Sequence, residues 1–324
     1  MPSLMKLVVT IDTEEDNWGK FSPTGHTLRN IDRIPGLQEV FDACGVKPTY
    51  LITYPVATDP GSIALFRELE RSGRCEIGTH CHPWNTPPFE EALSEENSML
   101  CNLSPDLQYR KLRTLHDTII RNFGLTPRSF RSGRWGYDES VAKNLSLLGY
   151  RVDTSITPYT DWKEYHGRDF SEYAPEPFRV TPGNGKTGGA PGHALVEIPA
   201  TIAYAQKDFF RCNRVHKALS RKPVSRLRLI GILDRLNMLN KIWLSPEQSD
   251  GIEMIRLASG LIRKNYRVIN MFFHSTTLVA GLTEYVRTPR DEKRFLGRIR
   301  EFLTFINDAG IESIGLSDAL DLVE

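Results

Sequence analysis

Asp12 and Glu14 stand two residues apart at the end of an apolar, β-branched run that begins at Lys6. Side chains two apart on a strand share a face, so both carboxylates can enter one pocket while Thr13 points away. Such a pair suits one metal ligand and one general base. His80 and His82 repeat the spacing after the run that begins at Cys75. A carboxylate with two imidazoles is a donor set for a hydrolytic Zn2+, or a similar divalent ion with a water position left open. Cys81, between them, is expected to face away. Arg131, in Phe130-Arg131-Ser132-Gly133-Arg134-Trp135-Gly136, can hold a carboxylate ionised and oriented. His274 follows Met271-Phe272-Phe273 directly, and a non-ligand histidine beside a metal is what a general acid requires. Each feature alone has a plainer explanation: a solvated acidic turn, a structural histidine, a surface ion pair. What argues for chemistry is their common position at the downstream ends of strand-like segments.

Those segments are 6–12, 48–54, 75–80, 128–133, 150–155, 194–198 and 267–273, with helical spacing over 35–44, 62–72, 105–123, 138–148 and 289–308. The alternation predicts an α/β fold, a distorted (β/α)7-type barrel of mostly parallel strands forming a single domain over 1–324. In such a barrel the downstream strand ends share one rim, where residues distant in sequence converge. Two stretches break the rhythm. Segment 156–193 is rich in Pro, Gly and Tyr and reads as a long rim loop. Segment 207–246 reads as a helical insertion, basic over 207–235, where Lys207, Arg211, Arg214, Lys217, Arg221, Lys222, Arg226, Arg228 and Arg235 alternate with apolar residues. Its basic face is either solvated and packed on the barrel or a binder of anions.

Bulk properties narrow the partners. The chain has 324 residues, 40% hydrophobic, and 41 Lys plus Arg against 40 Asp plus Glu, so no overall charge excess recommends nucleic acid or a membrane, and any such binding would have to be local. No run approaches the roughly 20 apolar residues of a membrane-spanning helix. The first residues carry neither a long apolar core nor a small-residue cleavage site, and the 5 cysteines are odd in number without CxxC pairing. Both features lead us to expect a cytoplasmic protein with reduced thiols.

Taken in order, Thr10-Ile11-Asp12-Thr13-Glu14, Thr79-His80-Cys81-His82, Arg131 to Gly136, Asp153-Thr154-Ser155 and Phe273-His274-Ser275 resemble the five motifs of the NodB-homology polysaccharide deacetylases, carbohydrate esterase family 4. The resemblance spans about residues 5 to 280. It implies Asp12 as catalytic base, Glu14 in place of the metal-binding aspartate, and His80 with His82 as the other ligands of a divalent metal, zinc by preference. It further implies that Arg131 orients Asp12, that Asp153 tunes the pocket, and that His274 is the acid. The chain departs from the pattern in two places. Asp12-Thr13-Glu14 replaces adjacent aspartates, which leaves open which carboxylate binds metal and keeps Asp16 as a reserve ligand. The histidine spacing is also shorter.

The implied reaction is hydrolysis of an N-acyl group, most simply acetyl, on an amino sugar. Trp84, Arg134, Trp135 and Trp162 fall on the expected rim loops, with Tyr137 and Tyr159, and flat faces there can stack on sugar rings. The expected substrate is a nucleotide-linked or lipid-linked intracellular precursor of a surface polysaccharide. Segment 207–235 would then meet a diphosphate or, as a peripheral contact, the inner membrane face. Two alternatives stay open: an amidohydrolase acting on a small non-sugar amide or formylated sugar, and a carbohydrate-binding barrel without turnover.

Overall fold

The computed structural model describes residues 5–180, 194–222 and 224–323. The Gly-rich part of the expected rim loop, 181–193, lies outside them.

The strands are β1 (Lys6–Thr13), β2 (Thr49–Ile52), β3 (Glu76–Cys81), β4 (Ser129–Ser132), β5 (Val152–Asp153), β6 (Phe178–Val180), β7 (Leu195–Glu197), β8 (Ile202–Tyr204), β9 (Lys241–Trp243), β10 (Val268–His274) and β11 (Glu312–Ile314). Nine form one sheet in the order β10-β1-β2-β3-β4-β5-β7-β6, with β11 also pairing β1. Every pairing is parallel except β6 with β7. Both faces of this sheet are buried, which is why its strands read as near-continuous apolar runs. On β1, Leu7, Val9 and Ile11 join the outer core under the helices. Val8 turns inward to a separate cluster with Leu51, Val152, Val196, Ile198 and Val268.

The barrel has a seam between β7 and β10. β8 and β9 form an antiparallel ribbon there, and isolated bonds stitch it to the rim. The Thr201 N–H donates to the Asn270 carbonyl (3.2 Å), the Leu244 N–H to Thr201 (2.8 Å) and the Phe272 N–H to Leu244 (3.1 Å).

The helices are α1 (Ile34–Ala43), α2 (Tyr54–Thr58), α3 (Pro60–Arg71), α4 (Pro105–Phe123), α5 (Glu139–Leu147), α6 (Phe209–Ser220), α7 (Leu229–Arg235), α8 (Gly251–Ile262) and α9 (Pro289–Asp308). Their starts follow local chemistry. Asp59, Ser104 and Asp138 accept backbone N–H groups at the heads of α3, α4 and α5, and Asp250 and Thr288 form capping boxes with Glu253 and Asp291. α8 is an addition to the sequence expectation. Its buried Met254, Leu257, Ala258 and Leu261 have helical spacing behind a readable cap. Among the described residues no helix is long and apolar enough to cross a membrane.

Candidate active site

Register brings the chemistry together. Asp12 pairs across the ladder with His274, and His80 with Arg131, so four strand ends deliver side chains to one mouth. Asp12, Glu14, His80 and His82 are all buried there, at 3%, 1%, 2% and 1% exposure.

Glu14, His80 and His82 each present one ligand atom, all within 4.8 Å of one another. Glu14 Oε2 lies 3.5 Å from His82 Nε2 and 3.8 Å from His80 Nε2. The opposite ring nitrogen fixes the tautomer of His80. His80 Nδ1 sits 3.0 Å from the Arg131 carbonyl, which only an N–H can satisfy, so the Nε2 lone pair is left facing Glu14. His82 Nδ1 faces Glu15 Oε1 at 3.5 Å, and Glu15 also accepts from Asn85 (2.8 Å), Thr53 (3.3 Å) and Trp84 (3.4 Å). A metal-binding histidine commonly leans on such a carboxylate or carbonyl.

Glu14 itself tests the fit. Burial pushes its pKa well above the ordinary carboxylate value, helped by Glu15, Asp12 and Glu247 and opposed by His274. Its side chain accepts a bond from Thr276 at 3.4 Å, and no Lys or Arg among the described residues pairs with it. A buried acid facing two imidazole lone pairs without a resident cation is a donor set that a divalent ion completes.

Asp12 differs from Glu14 in having a cation of its own. Arg131 Nη1 donates to Asp12 Oδ1 at 2.7 Å. Burial alone would raise the Asp12 pKa, but Arg131, His80 and His274 together hold it down at about 2. Arg131 cannot swing away. It donates to the Thr154 carbonyl (3.1 Å) and Thr10 Oγ1 (2.6 Å), and lies over the rings of Trp135 (5.0 Å) and Phe272 (5.7 Å). The free Oδ2 of Asp12 points between His80 Nε2 at 3.9 Å and His274 Nε2 at 3.7 Å.

His274 is oriented from behind by Glu247, whose carboxylate lies 3.0 Å from Nδ1 and also accepts from the His274 backbone N–H (3.0 Å) and Thr277 (2.5 Å). Burial would lower the His274 pKa, yet Glu247, Glu14 and Asp12 raise it to about 10. The Trp18 ring stacks on this imidazole at 5.8 Å and 8°. A cleft of about 590 Å³ opens beside it, lined in part by Trp18, Lys20, Arg29 and Tyr285.

Several sequence expectations need correction. Asp153, expected to tune the pocket, does not face it. Its register partners are Phe130 and Glu197, which places it on the outer face of the sheet, opposite to Arg131. There it accepts from the Ser155 hydroxyl at 2.7 Å and forms a buried acid pair with Glu197. The carboxylate at His274 is Glu247. Asp16 is not a spare ligand either. Both its oxygens are taken by Thr27, Arg29 and Asn30, so it pins the loop after β1.

The four expected substrate residues are also placed elsewhere. Trp84, 2% exposed, stacks beneath His82 at 4.1 Å, and Trp135, 9% exposed, lies under Arg131. Trp162 is half-buried against Trp243 and Tyr165, its Nε1 donating to Thr157. Arg134 pairs with Glu95 at 3.2 Å and covers Phe21. Tyr137 and Tyr159 are buried. The aromatic groups that do face the cleft are Trp18 and Tyr285, and Trp18 lies only two residues beyond the acidic run and was readable there. Glu15 stood in that run too. Glu247 follows a strand of three residues, too short for a period to show.

The chain matches no family model and no curated protein sequence. Its architecture has counterparts among solved structures. A protein assigned as a glycoside hydrolase/deacetylase from Parabacteroides distasonis superposes with a TM-score of 0.62 at 10% identity, over 99% of this chain and 71% of that one. One assigned as a polysaccharide deacetylase from Mycobacterium smegmatis gives 0.56 at 15% identity, over 100% and 91%. The allantoinase PuuE gives 0.55 at 10%, over 98% and 90%. The chain therefore has the NodB-like deacetylase fold, a curled, mostly parallel half-barrel with helices outside.

Proposed function

We propose that this protein is a metal-dependent amide hydrolase that removes an N-acyl group, acetyl in the simplest case, from an amino sugar. The observation that carries the reading is one juxtaposition: a buried Glu14, His80 and His82 cluster, with Asp12 gripped by Arg131 on one side and His274 backed by Glu247 on the other. Glu14, His80 and His82 would hold the ion, zinc being suited to this donor set. When bound, it supplies Lewis acidity toward an acyl carbonyl and makes a water more acidic. The remaining work falls to the chain. Asp12, ionised and aimed by Arg131, takes the proton of the attacking water. His274, with Nδ1 engaged by Glu247, delivers a proton from Nε2 to the departing amine nitrogen. Trp18 stacks on that imidazole at the edge of the cleft.

The fold neighbours support a deacetylase, and an intracellular, cytoplasmic precursor of a surface polysaccharide, nucleotide- or lipid-linked, is the substrate we infer. A second reading, hydrolysis of a small non-sugar amide, draws on the near-complete burial of the cluster and on the allantoinase that shares the fold. Screening acylated amino sugars against small amides, with amine release measured with and without chelator, separates the two. Asp12→Asn should lose about 10²-fold or more in turnover while retaining metal, and Glu14→Gln should lose metal. The roles of the two carboxylates are exchanged if Asp12→Asn is the variant that empties the site.

A further inference from the structure

The β8–β9 ribbon carries the insertion formed by α6, a short turn and α7, with α6 and α7 packed on each other. α6 is anchored from beneath by Phe209 and Asn213, the latter donating to the Ser171 carbonyl at 2.7 Å. At the roughly 100° per residue of a helix, Phe210, Arg211, Arg214, Val215, Ala218 and Arg221 fall on a single arc. All six are exposed. The surface continues through Arg226, Leu227, Arg228, Ile232, Arg235, Leu236 and Met238, where Leu227, Leu236 and Met238 are 64%, 62% and 61% exposed. Of the 14 large hydrophobic side chains exposed among the described residues, 6 lie between positions 210 and 238. Over 207–238, 9 Lys and Arg stand against Asp208 and Asp234, and of these cations only Lys217 is ion-paired among the described residues, to Glu172.

We propose that this face seats the protein on an anionic lipid surface. Protruding aliphatic groups interleaved with unpaired cations match the two layers of a bilayer interface, acyl chains below and phosphate headgroups at the level of the guanidinium groups. A second copy of the chain fits poorly, because a two-fold contact would bring these arginines against each other. A nucleic acid would neutralise the cations but leave Leu227, Ile232, Leu236 and Met238 in water. The insertion is rooted at the catalytic mouth. β9 returns from it to Leu244, which bonds both Thr201 and Phe272, and the chain then reaches Glu247 at His274. A protein docked this way rests on the membrane beside its active site. The inference stands on surface chemistry alone and is independent of the reaction assigned above.

Sedimentation of the intact protein with phosphatidylcholine vesicles, with and without phosphatidylglycerol, tests it. Binding should require the anionic lipid and weaken with added salt. Arg211→Gln, Arg214→Gln and Arg221→Gln combined should weaken it by about fivefold per cation, on the order of a hundredfold together. Leu227→Ser with Leu236→Ser should weaken it as well, each variant first matched to wild type in circular dichroism and thermal unfolding. Absence of binding by the wild-type protein, or equal binding by the arginine variant, overturns the proposal. So does tighter retention by a polyanion such as heparin than by vesicles, or a wild-type dimer abolished by the leucine substitutions.

Discussion

Gly133 makes the metal cluster sensitive to a single methyl group. A Cβ at this position would lie 2.2 Å from His82 Cδ2, 3.1 Å from His82 Nε2 and 2.8 Å from the Cys81 carbonyl oxygen. Carbon atoms in contact settle at about 3.5–4.0 Å, so the imidazole must retreat by more than about 1 Å. It has nowhere to go without loss. Trp84 stacks on its far side at 4.1 Å, and Glu14 and Glu15 engage its two nitrogens. Gly133 is not in the left-handed region, so the cost is contact and not backbone strain. A displaced Nε2 leaves Glu14 and His80 to hold the ion, and disturbance of ligand support of this kind lowers metal affinity by about 10–100-fold. Gly133→Ala should therefore fold, with circular dichroism like wild type, and bind zinc at least about tenfold more weakly in competition with a chromophoric chelator. Gly36→Ala is the control. Nothing lies within 4 Å of a Cβ there, and in α1 it should stabilise by about 0.5–1 kcal/mol and leave the metal untouched. A Gly133→Ala protein that binds zinc like wild type would refute the placement of His82 in the ligand set.

Lys111 on α4 is fully buried, its Nζ donating to the carbonyls of Pro83 (2.9 Å), Thr86 (2.8 Å) and Pro88 (2.7 Å), with Glu91 2.8 Å away. Lys111→Met strands those acceptors in the loop that follows His82, and should cost about 3–5 kcal/mol, seen as a drop on the order of 10 °C in thermal unfolding; a shift of a degree or two would mean the loop is held otherwise. The buried pair Asp153 and Glu197 gives a pH signature. Burial raises both pKa values, and Asp153 raises that of Glu197 further, so the folded state binds protons more readily than the unfolded chain. The stability this confers is full below the ordinary carboxylate pKa and is lost as pH rises through the raised folded values. Glu197→Gln keeps an acceptor for the Ile156 N–H, 3.0 Å away in the wild type, and removes the conflict. Its urea midpoint should fall less with rising pH, and near pH 8 it should exceed wild type by on the order of 1 kcal/mol. Parallel curves would show that the pair does not share a proton.

The fold was readable wherever strands were long enough to show a period or helices carried caps. β1, β10, α4 and α9 lie within a residue of their expected bounds, because alternation, Ser104 and Thr288 are all local signals. The β8–β9 ribbon was not, since three-residue strands around a long insertion have no period, and with it Glu247 was lost. The aromatic residues near the mouth misled for a different reason. Sequence places Trp84 and Trp135 on rim loops correctly, but not which way they turn, and both turn inward to support His82 and Arg131. Asp153 misled through motif order. Its position after β4 matched, while the parity of β5 put its side chain outside the barrel.

Parity also separates the two carboxylates that the sequence could not rank. Asp12 and Glu14 share the inner face of the first strand, but they reach different depths of the mouth. Arg131 extends inward from β4 as far as Asp12, tethered by Thr10 and Thr154 below it, and cannot reach the next inward position. Asp12 thus carries a permanent counter-ion and stays ionised, as a base must, whereas Glu14 has no arginine or lysine partner among the described residues and faces the two imidazole nitrogens of β3 and its downstream end. Two acids of nearly the same chemistry, two residues apart, have opposite pKa shifts, Asp12 held down by Arg131 with His80 and His274 and Glu14 pushed up by burial, and such divergence is what divides roles between paired carboxylates. Because the arginine compensates one charge only, burial drives the second carboxylate toward its neutral form despite His274, and a cation brought in from outside would favour its anion.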